Sequence, residues 1–302
     1  MDFKKIAPII LLIATVLCGF MAVCGRNLLK AGLSTFDITF LRLFISTAVL
    51  FIFMLIFSRQ DLKIRKKDAL YFILFGVFKF LSDYTFFRSV DTISISLTSL
   101  LQNTAPYFVM IVSYFLFKEK VSGKTILAMM LGTFGCILMS GSALFRASID
   151  PMGLVFAILS GFFLAMYFIG SRIGNDRGYG VMTYLFYVMF IATLASLPFT
   201  DLGRIVGSMA DTSVIVNSLA LGILITLIPY YIIAWSVKYV GQLKASVITV
   251  SEVVFAAICG AMFFNEALDI LDVFGVITMV VSIVTISAIS VKNKDAQDSD
   301  II

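Results

Sequence analysis

Residues Ser94 to Ser122 read SISLTSLLQNTAPYFVMIVSYFLFKEKVS. Small residues (Ser94, Ser96, Thr98, Ser99) lead into a polar knot, Gln102-Asn103-Thr104. Pro106 and an apolar run to Phe117 follow, and Lys118-Glu119-Lys120 ends the run abruptly. A helix apolar on all sides, with a proline and a polar knot inside it, suits lipid and neighbouring helices better than water. An echo lies half a chain later, where Leu243 to Leu268 reads LKASVITVSEVVFAAICGAMFFNEAL. Placing Glu119 over Glu266, an offset of 147 residues, also superposes Ser89 on Ser236, Ser99 on Ser246, Phe108 on Phe255 and Phe117 on Phe264.

Composition points the same way. The 302 residues are 60% hydrophobic and 14% charged, with 30 phenylalanines, whereas soluble domains carry roughly 25% charge. The apolar runs are about twice the length of a barrel strand and do not alternate, so the expected class is an all-α polytopic membrane protein. Ten spans are expected, at 6–29, 36–57, 69–90, 95–117, 123–144, 151–171, 181–199, 214–236, 243–264 and 270–291. With the offset they divide into two five-helix repeats, 1–146 and 147–292, followed by a polar tail over 293–302. An odd-numbered unit inserted twice arrives the second time upside down, so the repeats are expected to be inverted.

Of the 23 Lys and Arg residues, Arg26, Lys30, Arg88, Arg146 and Arg204 fall on one side of the spans. Arg42 and Lys79 fall within spans, and the other sixteen lie on the side of the N-terminus. The positive-inside rule then places both termini in the cytoplasm of a multi-pass protein of the cytoplasmic membrane. The net charge of +5 belongs to those loops and implies no nucleic-acid partner. The chain has no histidine, no CxxC and four cysteines inside apolar runs. Metal and cofactor sites are not expected. No phosphate-binding loop or nucleophile elbow occurs, so energy for transport would come from a gradient.

These features together resemble the EamA-type transporters of the drug/metabolite transporter superfamily. The first half carries Leu41-Arg42 early in its second span, Pro106, and Phe117-Lys118-Glu119. The second carries Ser251-Glu252, Phe264-Asn265-Glu266 and Gly275. Two departures fall near the expected central cavity: Cys18-Gly19 stands where the family often has Trp-Gly, and Val253 where it often has proline after the glutamate. The resemblance implies transport of a small metabolite, often an amino acid or related amine, by alternating access.

Ionisable and polar groups at membrane depth are costly, and so are the site candidates. Lys79 and Asp83 are i,i+4 on one helix face, as an internal ion pair or a charged cavity wall. Arg42 either snorkels, pairs structurally or faces a ligand. Asn103 and Glu252 sit deep in the fourth and ninth spans. Glu252 has no basic residue within a turn, which suits it to carrying a proton, meeting a cationic group, or pairing across helices with Arg42 or Lys79. Tyr107, Tyr167, Tyr230, Tyr231 and Trp235 offer aromatic walls, suited to cations as well as to packing. The candidate substrate contacts are therefore Asp83, Asn103, Tyr107, Tyr167, Tyr230, Tyr231, Trp235 and Glu252. Glu252, Asp83, Lys79 and Arg42 are the candidates for charge coupling. The site is expected between the halves, lined by the first, third, fourth, sixth, eighth and ninth spans. Expected partners are a small-molecule substrate, the bilayer and a proton or other ion, with the protein a monomer or homodimer. The alternatives are an intramembrane enzyme using Asp83 and Glu252 on a lipid-like substrate, and a passive channel.

Overall fold

The computed structural model describes residues 3–118, 121–146, 150–264, 270–271, 273–275, 277–282 and 285. Glu119, Asn265, Glu266 and the polar tail lie outside the described residues, as does part of the tenth expected span. The described residues form helices and no strands. Those that matter here are α1 (Phe3–Gly19), α2 (Met21–Lys30), α3 (Thr35–Phe57), α4 (Ala69–Thr92), α5 (Ile95–Gln102), α6 (Ala105–Phe117) and α7 (Gly123–Arg146). The second half holds α8 (Pro151–Asp176), α9 (Val181–Ser196), α10 (Leu202–Ser208), α11 (Thr212–Leu219), α12 (Ile228–Val240), α13 (Gln242–Thr249) and α14 (Glu252–Phe264). A π-helical segment, Ala220–Leu227, joins α11 to α12.

Seven helical stretches among the described residues are long and apolar enough to cross a membrane. They correspond to the first, second, third, fourth, sixth, seventh and eighth expected spans. Their outward faces are apolar: Phe57, Leu70 and Phe115 are all at least 70% exposed. A fold that leaves such side chains uncovered is solvated by lipid, not water. Helix starts are marked by side-chain caps. Ser34 and Asp37 form a capping box at α3, and Asp150, Asp201 and Asp211 cap α8, α10 and α11. Each cap satisfies backbone donors that the first turn leaves without partners.

The fourth and ninth spans are both interrupted. α5 gives way to α6 at residues 103–104, and α13 to α14 at 250–251. The half-helices Ile95–Gln102 and Gln242–Thr249 begin and end 147 residues apart, as do Ala105–Phe117 and Glu252–Phe264. Pro106 therefore opens a helix rather than sitting inside one. The ninth span is interrupted without a proline, so another cause is at work. Ser246, Thr249 and Ser251 each donate their hydroxyl to the carbonyl three residues earlier. In the fourth span Thr104 bonds back to Leu101 and Asn103 to Ser99 in the same way. Such back-bonding competes with the helical ladder and bends it. α5 packs against α14 and α6 against α13, so the two interrupted spans run antiparallel.

Close approach at glycines sets the spacing elsewhere. Gly161 of α8 lies against the interruption, where a Cβ would fall 2.7 Å from the Gln102 carbonyl oxygen. That carbonyl, freed from the ladder by Pro106, is thereby covered by protein and not by lipid. Gly132 and Gly135 of α7 admit Ser282 and Met279 of the tenth span in the same fashion.

Candidate functional site

Arg42 lies two turns into α3 and is fully buried. It does not snorkel. Its Nε donates to Thr226 Oγ1 at 2.6 Å, and its Nη1 lies 2.8 Å from Met21 Sδ. Nη1 also stands 3.2 Å from Asp83 Oδ1. The guanidinium is flanked by the rings of Tyr230 and Phe87, at 5.4 and 5.7 Å. Nη2 is buried and has no hydrogen-bond partner among the described residues.

Lys79 Nζ donates to both oxygens of Asp83, at 2.6 and 2.7 Å, and sits 4.0 Å from the centre of the Tyr230 ring. The pair is an intrahelical ion pair, and Arg42 joins it in a larger charged centre. Lys79 and Asp83 are 1% and 2% exposed. A buried charge is tolerated only when paired and hydrogen-bonded. Here one carboxylate serves two cations.

The 147-residue offset carries Lys79 onto Thr226 and Asp83 onto Tyr230. Lys79, Thr226 and Tyr230 all lie against the Arg42–Asp83 pair. The third and eighth spans thus contribute matching positions with different chemistry. Thr226 reaches Arg42 from the π-helical segment, and its own hydroxyl donates five residues back, to Leu221. Extra residues of this kind inside a helix re-aim side chains, often at functional sites. Gly222 in the same segment lets α3 approach closely, and Ser46 ties the two by donating to the carbonyls of Arg42 and Gly222.

Glu252 opens α14 and is partly exposed. Among the described residues no ion pair reaches it, although it lies within Coulombic range of Arg42 and Tyr230. The neighbouring Ser251 hydroxyl is hydrogen-bonded to Thr15 of α1 at 2.8 Å, which fixes the interruption against the first span.

The remaining candidates are more dispersed. Tyr167 donates to the Tyr230 backbone carbonyl at 2.7 Å, and Tyr184 donates to the Tyr167 carbonyl at 2.8 Å. Tyr167 is therefore a wedge that positions Tyr230. Asn103 donates to the Ser99 carbonyl, and Tyr107 bonds Thr133 of α7. These two line a narrow cavity with Pro106, Gly132 and Val247. Tyr231 and Trp235 are partly buried at the edge of the core, with Trp235 against Tyr239. The structure thus gathers Arg42, Lys79, Asp83 and Tyr230 at one centre with Glu252 nearby, and leaves the other aromatic candidates around it. The second span, absent from the expected lining, supplies the central cation. Met21, Phe87 and Thr226 complete the centre without any sequence signal of their own.

The two ends of the bundle are clasped. At one end Asp68 accepts from Arg65, Arg177 and Tyr179, at 2.7, 2.6 and 2.7 Å. Tyr187 and Thr183 donate to the carbonyls of Leu62 and Asp61 in the same loop. At the other, Asp37 accepts from the backbone of Ser34 and Asp201 and from Arg204 Nη1, each at 2.9 Å.

The sequence pattern of the EamA-like transporter family matches residues 5–141 and, a second time, residues 151–288. The chain belongs to that family. This EamA-like protein is 28% identical over 258 residues to an uncharacterized transporter of Archaeoglobus fulgidus, covering 85% of this chain and 87% of the relative. It is 25% identical over 225 residues to the uncharacterized transporter YdfC of Bacillus subtilis, covering 72% and 71%. A solved crystal structure at 16% identity superposes with a TM-score of 0.72 over 94% of this chain and 96% of the other, a likeness of fold. The EamA-like chain is a multi-pass membrane transporter, and membership of this family decides against the intramembrane-enzyme alternative.

Proposed function

We propose that this chain is a secondary transporter of ten membrane-spanning helices, arranged as two inverted five-helix halves over 1–146 and 147–292. It moves a small amino acid or related amine across the cytoplasmic membrane by alternating access, with both termini cytoplasmic. The observation that carries this reading is the buried charged centre of Arg42, Lys79 and Asp83, held between matching positions of the third and eighth spans. Charge at membrane depth marks a substrate or ion pathway. A centre between two related halves is where inverted-repeat transporters place their site. The inversion is supported by the equal spacing of the interrupted helices and by their antiparallel packing. Glu252, partly exposed and outside the ion-pair network, is the proton-coupling group of this reading.

The test is counterflow in proteoliposomes across a panel of amino acids and amines, with and without a proton gradient. Saturable exchange supports a carrier. Flux that rises linearly with concentration and shows no counterflow indicates the channel alternative, and movement of no amino acid or amine in either condition overturns the proposal.

A further inference from the structure

We propose that the buried centre recognises the carboxylate group of its cargo, and that Arg42 Nη2 is the donor that receives it. This deepens the transport reading and rests on it.

The argument is a count of donors and acceptors. Arg42 offers donors on three nitrogens. Nε is taken by Thr226 and Nη1 by Asp83 and Met21, while Nη2, in a side chain with no exposure, has no hydrogen bond among the described residues. The partners of Nε and Met21's share of Nη1 are a hydroxyl and a thioether, which carry no charge. Lys79 is satisfied in a different way, holding both Asp83 oxygens at 2.6 and 2.7 Å and lying over the Tyr230 ring. Asp83 is shared between the two cations, and its contact with Arg42 is the longer one, at 3.2 Å. Among the described residues Glu252 makes no ion pair that would supply the missing negative charge. The unmet demand of the centre is one anionic acceptor, and it is localised at Nη2.

The surroundings select its shape. Phe87 and Tyr230 lie beside the guanidinium, with ring centres 5.7 and 5.4 Å from it. One nitrogen without a partner and a single excess charge match a monoanionic carboxylate. A phosphate dianion would bring more charge than the centre lacks. Arginine meets carboxylates with directional, charge-assisted hydrogen bonds.

The test uses the full chain in proteoliposomes and a native reporter. Cys18 is buried and within Coulombic range of Arg42, Lys79 and Glu252. With Cys24, Cys136 and Cys259 changed to Ser, its rate of reaction with N-ethylmaleimide reports occupancy of the centre. The probes are aliphatic and aromatic amino acids, each beside the amine lacking its carboxylate and the acid lacking its amine. Carboxylate-bearing members are expected to slow labelling and to exchange, and the amines to do neither. Arg42→Lys keeps the charge and loses Nη2, and is expected to weaken protection by the acids at least tenfold. Should Arg42→Lys fail to fold, the wild-type comparison of acids with amines decides alone. Amines that protect and exchange as well as the acids overturn the carboxylate assignment and leave the transport reading standing. Chloride alone protecting as well as the acids overturns it in favour of a halide site. Protection by acids without exchange of any compound retains the assignment and defeats the transport reading.

Discussion

Asp83 holds two cations at once, so its removal leaves more behind than it takes away. In Asp83→Asn, Lys79 and Arg42 face each other across a buried centre without a carboxylate. Breaking a buried pair on one side costs about 3–5 kcal/mol. The detergent-solubilised variant should melt well below wild type, and Asp83→Asn with Lys79→Met should recover part of the loss. Equal melting temperatures for Asp83→Asn and wild type would show that the centre is not paired as described. Glu252 has a different standing, since no ion pair depends on it among the described residues. Glu252→Gln should fold and exchange substrate normally while losing roughly tenfold or more of its proton-driven uptake, equivalent to about 1.4 kcal/mol of coupling. Unchanged uptake with an unchanged pH profile would remove Glu252 from the coupling role. At this scale the sequence was readable where charge marked it. Lys79, Asp83, Arg42 and Glu252 stand out because charge inside a span is expensive. Met21, Phe87 and Thr226 do not, because an ordinary core residue acquires a role only from what folds against it.

Helix interruption is the feature of the next scale, and its causes are local. Proline explains the fourth span, but the ninth depends on hydroxyls at Ser246, Thr249 and Ser251 bonding backward. That spacing was visible in the sequence, and the eye is drawn to Pro106 instead. The π-helical segment Ala220–Leu227 had no such marker, since ALGILITL contains neither proline nor a polar cluster. Its geometry comes from packing on α3, through Gly222 and Ser46. The contact of Gly161 with the fourth-span interruption offers a direct test. In Gly161→Ala the new methyl would press on the Gln102 carbonyl and on Thr104. Backbone cannot step aside as a side chain end can, so a loss of about 1–3 kcal/mol is expected. Gly123→Ala, where nothing lies within 4 Å, is the control and should melt within a degree or two of wild type. Comparable melting of the two variants would mean that α8 does not press on the interruption.

Clasps at the two ends belong to the whole molecule. Asp68 joins the loop before α4 to the segment between α8 and α9 through Arg177 and Tyr179. Under the proposed alternating access, opening the centre at that end requires these contacts to part. Asp68→Asn should favour the conformation open at that end, raising the N-ethylmaleimide labelling rate of Cys18 severalfold, whereas Asp37→Asn should do so from the other. A rate unchanged in both variants would separate the clasps from access to the centre. The contacts of Asp68 with Arg177 and Tyr179, and of Asp37 with Asp201 and Arg204, were not legible in the chain, because they join segments more than a hundred residues apart that share no pattern. The membrane character and the family were legible, since lipid demands long apolar runs and the family's motifs stand in order along the chain.

The antiparallel crossing of the interrupted spans has an electrical consequence. Each half-helix carries a peptide dipole, positive at its amino end and negative at its carboxyl end. At the crossing the amino end of α14 lies beside the carboxyl end of α5, and the amino end of α6 beside that of α13. Opposite partial charges therefore meet at the crossing and offset one another, so that in the proposed alternating access rocking one span against the other would carry little net dipole through the membrane field. Current recorded during turnover should report only the charge of the cargo and of any accompanying proton. An anion travelling with one proton would be silent, and a zwitterion with one proton would register a single positive charge.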